Sequence, residues 1–158
     1  MFIWVKRLAV ALVVFIVVAQ VIRPSRINPS VDPAREIGAT RSVSPEVAAI
    51  FERSCNDCHS NRTVWPWYTG VAPVSWLVAY DVREGRRELN FSEWDAYSSQ
   101  ERQKLLEKVC SEVSEGEMPG LPYSLIHPRA KLSAADVQTV CTWTQTAREA
   151  ALLQTRGI

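Results

Sequence analysis

The sequence predicts an all-α protein in which a helical domain follows an N-terminal transmembrane helix. Three observations support this fold class. Apolar residues recur at helical spacing in four segments, no segment shows the alternation of apolar and polar residues that is typical of a strand, and residues 1–22 are almost entirely apolar. A chain of 158 residues has room for one ordinary domain and an appendage, so a multi-domain enzyme is excluded.

Residues 1–23 are predicted to be a membrane anchor or a signal segment. The run of residues 8–22 contains one polar residue, and a helix counted from Phe2 would be about 31 Å long, close to the thickness of the hydrocarbon core of a bilayer. Cleavage after Ala19 is the alternative. We favour the uncleaved anchor because the apolar run continues beyond Ala19.

The charges beside the apolar run predict the orientation of the chain. Lys6 and Arg7 precede the run and place the N-terminus in the cytoplasm. We therefore expect a single-pass protein of the cytoplasmic membrane, with its folded part in the periplasm or otherwise outside the cytoplasm. Residues 24–43 contain three prolines among serine, asparagine and aspartate and predict an extended linker, which leaves residues 44–155 as the folded domain.

The first two predicted helices of this domain flank an aromatic loop. Ser44 is a capping residue at the start of a short helix that ends near Cys55. Residues 60–73 contain two tryptophans, a tyrosine, a glycine and two prolines, which predict a loop without regular structure. A second helix is predicted over residues 74–87.

The last two predicted helices flank a second loop. Ser98 and Glu101 match a capping box, and the helix that they begin runs to Gly116. Residues 117–132 contain three prolines and a glycine and are predicted to form a long irregular loop. Ser133 then begins the last helix.

The charge balance narrows the class of partner. The chain has 18 basic and 17 acidic side chains, so it lacks the excess of positive charge that binding to a polyanion requires. No nucleic-acid partner is expected.

Cys55-Asn56-Asp57-Cys58-His59 is a C-x-x-C-H sequence, the attachment motif of a c-type haem. The spacing suits this chemistry because the two thiols add to the two vinyl groups of the porphyrin, and the adjacent imidazole is then held under the iron as its proximal ligand. We expect one covalent haem c, bound through Cys55 and Cys58, with His59 on the iron.

The two cysteines of the motif have three other possible uses. A thioredoxin-like redox pair requires a βαβ context, which the helical pattern does not provide. A zinc site requires further ligands, and Cys110, Cys141 and His127 are too scattered in the sequence to form a zinc knuckle. A disulfide between the two cysteines would leave His59 without a role.

Few residues are available as the second axial ligand of the iron. Once the initiator Met1 and the proximal His59 are set aside, Met118 and His127 are the remaining methionine and histidine. Met118 lies in the second predicted loop, whose backbone could bring the thioether to the iron, and His/Met ligation suits electron transfer. We favour Met118, with His127 or an open sixth position as the alternatives.

Cys110 and Cys141 lie in the last two predicted helices. In an oxidising compartment we expect them to form a disulfide across the loop that carries Met118, which would close about 30 residues. Two buried free thiols are the alternative.

Several stretches of the sequence resemble the bacterial haem-binding domain family, which comprises small membrane-anchored proteins similar to single-haem cytochromes c. The resemblance covers about residues 45–145 and implies that Cys55, Cys58 and His59 hold the haem and that Met118 lies in the Met-Pro loop of the family. The matching stretches are C-N-D-C-H-S-N-R-T-V-W-P-W-Y at 55–68, V-A-P-V-S-W-L-V at 71–78, D-V-R-E-G-R at 81–86, L-N-F-S-E-W at 89–94, G-E-M-P at 116–119 and H-P-R-A-K-L-S at 127–133.

A looser resemblance to class I cytochromes c implies that the helix before the haem motif crosses the last helix. Phe51, four residues before Cys55, and Trp143 in the last helix are placed for that crossing. The fold implied by both resemblances is a cytochrome c-like helical domain.

The expected function is electron transfer with a membrane or periplasmic protein partner. We favour an electron carrier over an enzyme and assign no catalytic residue. The alternative is a haem enzyme, or a sensor of redox state or gas, with an open or displaceable sixth site on the iron. A non-haem structural or zinc-binding protein is the third interpretation.

Overall fold

The computed structural model describes residues 2–40 and 42–155 and confirms the all-α prediction. These residues form eight α-helices and four 3₁₀ turns, and none of them lies in a β-strand. The α-helices are α1 (Phe2–Ala19), α2 (Ile37–Thr40), α3 (Pro45–Ser54), α4 (Asn56–His59), α5 (Val74–Glu88), α6 (Ser99–Glu115), α7 (Leu121–Ile126) and α8 (Ala134–Thr155). The 3₁₀ turns are Pro33–Arg35, Trp67–Gly70, Phe91–Ala96 and Pro128–Ala130.

Helix α1 has the length and composition of a membrane span. Its 18 residues have a mean hydropathy of 2.4, and all of its described side chains except that of Ala19 are exposed. A signal sequence at the N-terminus has the same properties, so α1 suits either of the two predicted roles.

Helices α3, α6 and α8 form the centre of the domain. Helix α8 packs along α6 and also crosses α3, and Val47, Leu106 and Val140 lie buried among them. The rings of Phe51 and Trp143 meet edge to face with their centroids 5.4 Å apart, which is the contact expected between the first and last helices of the domain.

The ends of these helices follow the capping signals. The hydroxyl of Ser44 accepts a hydrogen bond from the backbone N–H of Val47 at the start of α3. Ser98 and Glu101 form the predicted capping box of α6, which ends at Gly116 with a φ of 76°. These three boundaries are therefore where the sequence predicted them.

A disulfide between Cys110 and Cys141 joins α6 to α8, as predicted. The two cysteines are 31 residues apart in sequence, and the closed loop contains α7 and the residue Met118. The alternative of two free thiols is wrong.

The predicted irregular loop of residues 117–132 contains regular structure, so that prediction is wrong. Helix α7 and the 3₁₀ turn Pro128–Ala130 occupy half of it. The prolines misled the prediction because Pro122 lies in the first turn of α7 and Pro128 begins the 3₁₀ turn, where a missing N–H breaks no intrahelical bond. The aromatic loop of residues 60–73 likewise contains a 3₁₀ turn.

The segment of residues 24–43 is more ordered than the extended linker that was predicted. It contains the turn Pro33–Arg35 and helix α2, and Ile37 is buried in the core cluster. Asn28 donates a side-chain hydrogen bond to the carbonyl oxygen of Thr63 at 2.8 Å. Polar side-chain contacts of this kind produce no periodic spacing of apolar residues. The sequence pattern therefore did not predict them.

Candidate functional site

The C-x-x-C-H residues lie at the junction of α3 and α4. Cys55 interrupts the helical backbone with a φ of −126°, and the chain then turns once more as α4. The backbone N–H of His59 donates to the carbonyl oxygen of Cys55 at 2.9 Å, and that of Cys58 donates to the same oxygen at 3.1 Å. One helical turn therefore carries both thiols and the imidazole.

The imidazole of His59 is oriented by two backbone carbonyl groups. Its Nδ1 lies 2.9 Å from the carbonyl oxygen of Gly85 and 3.1 Å from that of Leu89. Both oxygens can only accept, so Nδ1 carries the hydrogen and donates, and Nε2 keeps its lone pair. Burial lowers the pKa of His59 and favours the neutral ring, which is the form that ligates a metal.

The C-terminal end of α5 supplies these carbonyl groups. Leu89 caps α5, and its backbone N–H donates to the carbonyl oxygen of Gly85 at 2.9 Å, so the two lone pairs of that oxygen receive both Leu89 and His59. Gly85 also permits the close approach of α4, because a Cβ atom at this position would lie 2.6 Å from the carbonyl oxygen of Cys58. Sequence reasoning missed Gly85 and Leu89. The isolated glycine in a predicted helix was the available signal for Gly85.

Cys55 and Cys58 are free and half-buried. Burial raises the pKa of Cys55 to about 12 and that of Cys58 to about 11, so both thiols are protonated at neutral pH. Reactive pairs of the thioredoxin type have lowered thiol pKa values instead, so these raised values argue against that alternative.

A zinc site receives no support from the other cysteines. Cys110 and Cys141 are bonded to each other, and the described part of the chain holds no group of three or more histidine, cysteine or acidic residues that could bind a metal ion. The donors that the structure brings together are two thiols and one aimed imidazole, which fit a haem attached at this turn.

Asp57 connects the motif to two later parts of the chain. One carboxylate oxygen accepts from the backbone N–H of Val64 at 2.9 Å, and the other accepts from the hydroxyl of Tyr123 in α7 at 2.7 Å. The hydroxyl of Thr63 donates to the Asp57 carbonyl oxygen at 2.7 Å. The variable position within the motif therefore holds the turn in place, a role that its spacing alone did not reveal.

His127 is engaged by two tyrosines. Its Nε2 is hydrogen-bonded to the hydroxyl of Tyr68, and its ring stacks on that of Tyr123 with a centroid distance of 4.3 Å and an interplanar angle of 21°. An imidazole held in this way must break contacts to reach an iron, which disfavours His127 as the second ligand.

Met118 lies on the short connection between α6 and α7. Its backbone N–H donates to the carbonyl oxygen of Glu112 at 3.2 Å, and its side chain is 42% exposed. The charges of Lys108 and Glu112 on α6 make small opposing contributions to the pKa of His59, after burial and the hydrogen bonds to Leu89 and Gly85. Met118 follows the end of α6, and no hydrogen bond joins it to His59 in the described part of the chain.

One comparison with known proteins gives a match. Curated proteins and solved structures give no match. The sequence model of one family, described as the haem-binding domain, matches residues 14–146, which is most of the chain and includes the C-x-x-C-H turn. The protein therefore belongs to the haem-binding domain family, and it binds haem.

Proposed function

We propose that the protein carries one covalent haem c and transfers electrons at the periplasmic face of the cytoplasmic membrane. The main support for this proposal is the orientation of the imidazole ring of His59. Its Nδ1 is committed to Gly85 and Leu89, so its Nε2 is the nitrogen left for an iron held against the C-x-x-C turn. When bound, the haem supplies a centre that gains and loses one electron.

Cys55 and Cys58 would hold the porphyrin by two thioether bonds. In each addition the sulfur bonds to one carbon of a vinyl group and the thiol hydrogen goes to the other carbon, so no oxidant or reductant is consumed. The two free thiols, which lie on one turn and next to the proximal ligand, suit this attachment.

Met118 would supply the ligand opposite His59. Met118 sits on the connection that follows Gly116, the C-terminal cap of α6, whose backbone is left-handed. Axial ligation by His and Met raises the reduction potential and leaves no vacant position on the iron. A raised potential and a fully ligated iron both suit an electron carrier. The full ligation also leaves no position on the iron for a substrate.

Helix α1 and the disulfide support the proposed location. Lys6 and Arg7 precede the apolar part of α1, which favours a cytoplasmic N-terminus. A disulfide such as Cys110–Cys141 is typical of an oxidising compartment, which agrees with a domain outside the cytoplasm. The redox partner would then be a membrane or periplasmic protein.

Carbon monoxide distinguishes this proposal from a haem enzyme or a gas sensor. The full chain, produced with the c-type maturation machinery and reduced, is exposed to carbon monoxide while its optical spectrum is followed. An electron carrier with Met118 on the iron shows no rapid change. Immediate formation of a carbon monoxide complex would contradict the proposal and favour the sensor or enzyme.

A further inference from the structure

The residue that follows α1 is clamped to the folded domain. The side-chain oxygen of Gln20 accepts from the backbone N–H of Ala72 at 3.0 Å, and its Nε2 donates to the carbonyl oxygen of Ala72 at 3.2 Å. The same Nε2 also donates to the carbonyl oxygen of Ile16 in α1 at 2.8 Å. The amide of Gln20 therefore joins the end of α1 directly to the chain that enters α5.

The following residues of the chain continue along the same side of the domain. The indole N–H of Trp76 donates to the carbonyl oxygen of Ile22 at 2.8 Å, and Asn28 further on binds the carbonyl oxygen of Thr63. Directly after α1 the chain therefore contacts Ala72, and eight residues further along, at Asn28, it contacts Thr63. The region around Ala72 is therefore where the residues that follow α1 meet the domain.

Residues 63–80 carry no charge themselves, although Arg26 donates to the hydroxyl of Thr69 at 3.4 Å, and they present large apolar side chains. Residues 63–80 contain no acidic residue, no basic residue and no histidine, but three tryptophans and two tyrosines. The exposed fractions are 83% for Trp67, 45% for Val71, 41% for Val74 and 52% for Leu77. We call these four side chains the Trp67 surface.

We propose that the Trp67 surface lies in the interfacial layer of the phospholipid membrane that holds α1. Tryptophan and tyrosine concentrate at the boundary between hydrocarbon and headgroups, because their rings are apolar and carry one polar group. Ala72, the residue that Gln20 binds, lies between Val71 and Val74 in the sequence, so the surface adjoins the end of α1. This inference rests on the proposed function, in which α1 remains uncleaved and anchors the protein in the membrane.

The absence of charged side chains within residues 63–80 favours a lipid surface over a protein partner. A docking surface for a redox protein usually presents charged groups that steer the encounter, whereas inserting charged groups into the apolar side of the interface is unfavourable. Residues 63–80 offer no such groups, and the exposed aliphatic side chains gain from leaving water.

Contact of the Trp67 surface with the membrane would fix the position of the C-x-x-C-H turn relative to the bilayer. Helix α5 begins at the Trp67 surface and ends at the carbonyl groups that bind His59. It spans 15 residues, or about 22 Å, so the imidazole would lie roughly one helix length from the start of α5. The domain would therefore rest on the bilayer instead of moving on a flexible tether.

Photocrosslinking tests the contact. Benzoylphenylalanine replaces Trp67 in the full chain, which is reconstituted in nanodiscs of phosphatidylethanolamine and phosphatidylglycerol, illuminated and analysed by mass spectrometry. Gln145 is the matched control, because it is exposed on α8, a helix that packs on α3 and α6. We expect phospholipid adducts at position 67 that exceed those at position 145 at least tenfold.

Three results would overturn the inference. They are equal adduct yields at the two positions, crosslinks from position 67 to a second copy of the chain, and a mature protein from which α1 has been cleaved. The mass of the same sample reports covalent haem and the N-terminus independently. A protein with haem and α1 but without lipid adducts would thus refute the Trp67 surface and leave the proposed function standing.

Discussion

The carbonyl oxygen of Gly85 accepts a hydrogen bond from Nδ1 of His59 at 2.9 Å. The same glycine lies so close to Cys58 that an added Cβ would come within 2.6 Å of the carbonyl oxygen of Cys58. One residue of α5 therefore aims the imidazole and determines how closely the C-x-x-C-H turn can pack.

Gly85→Ala should destabilise the domain and disturb the haem site. The added methyl group meets the backbone of Cys58, which cannot move as a flexible side chain would, and overpacking of this kind costs about 1 to 3 kcal/mol. Urea unfolding and the haem content per chain measure the two effects. Gly38→Ala is the control, because a Cβ atom added at Gly38 would meet nothing within 4 Å; an equal loss in both variants would contradict this interpretation.

Met118→Ala should open the sixth position on the iron. We expect rapid binding of carbon monoxide by the reduced variant and a lower reduction potential, within the roughly 0.8 V range that axial ligands span. His127→Ala should change neither property, since its ring is held by Tyr68 and Tyr123. If the histidine variant changes and the methionine variant does not, the second ligand has been assigned wrongly.

Much of the helical framework could be predicted from the sequence because its signals are local. A few neighbouring residues encode each end of α6, namely the capping box of Ser98 and Glu101 and the C-terminal cap Gly116. The structure confirms both. The contact of Phe51 with Trp143 is long-range, and it was expected from the likeness to class I cytochromes c. The pattern of apolar residues alone would not have paired these two rings.

The contacts that the sequence did not reveal are mostly polar and distant in the chain. The hydrogen bonds of His59 end on the backbone of Gly85 and Leu89, which no side-chain motif can encode. Asp57 and Tyr123 are 66 residues apart, and no motif in the sequence pairs them. The motif therefore predicts the chemistry of the site, whereas the orientation of the imidazole required the fold.

Removal of the disulfide should lower the free energy of unfolding. A bond between Cys110 and Cys141 closes a loop over a separation of 31 residues, for which the chain-entropy relation gives about 3 to 4 kcal/mol. Urea unfolding of the Cys110→Ala/Cys141→Ala variant measures the loss. The wild-type protein in excess reductant serves as the control and should match the variant; an oxidised wild type no more stable than the variant would contradict the prediction.

Asp136→Ala should weaken the start of α8 at neutral pH by about 1 kcal/mol, the usual value of a capping interaction. The carboxylate of Asp136 accepts from the backbone N–H and the hydroxyl of Ser133, both at 2.8 Å, and pairs with Arg53 of α3 at 2.6 Å. Hydrogen bonding by the backbone of Ser133 is the main reason that the pKa of Asp136 lies below its ordinary value of 3.8.

The effect of this substitution should depend on pH. Because the pKa is lower in the folded state, the stabilisation is complete above pH 3.8 and is lost as the pH falls through the native value. Unfolding curves of both proteins at pH 7 and at pH 3 measure the difference, which should be smaller at pH 3. A difference that stays constant or grows toward acid pH would show that the carboxylate does not act as described.

The central claim is that Cys55 and Cys58 bind the haem covalently. Its most direct test is the reduced-minus-oxidised spectrum of the full chain, produced with c-type maturation machinery, after denaturation and solvent extraction of loose haem. The wild type should keep a c-type spectrum, and Cys55→Ala and Cys58→Ala should each lose one thioether bond and much of the haem. A wild-type polypeptide without haem after extraction, beside a control cytochrome that matures normally, would contradict the claim.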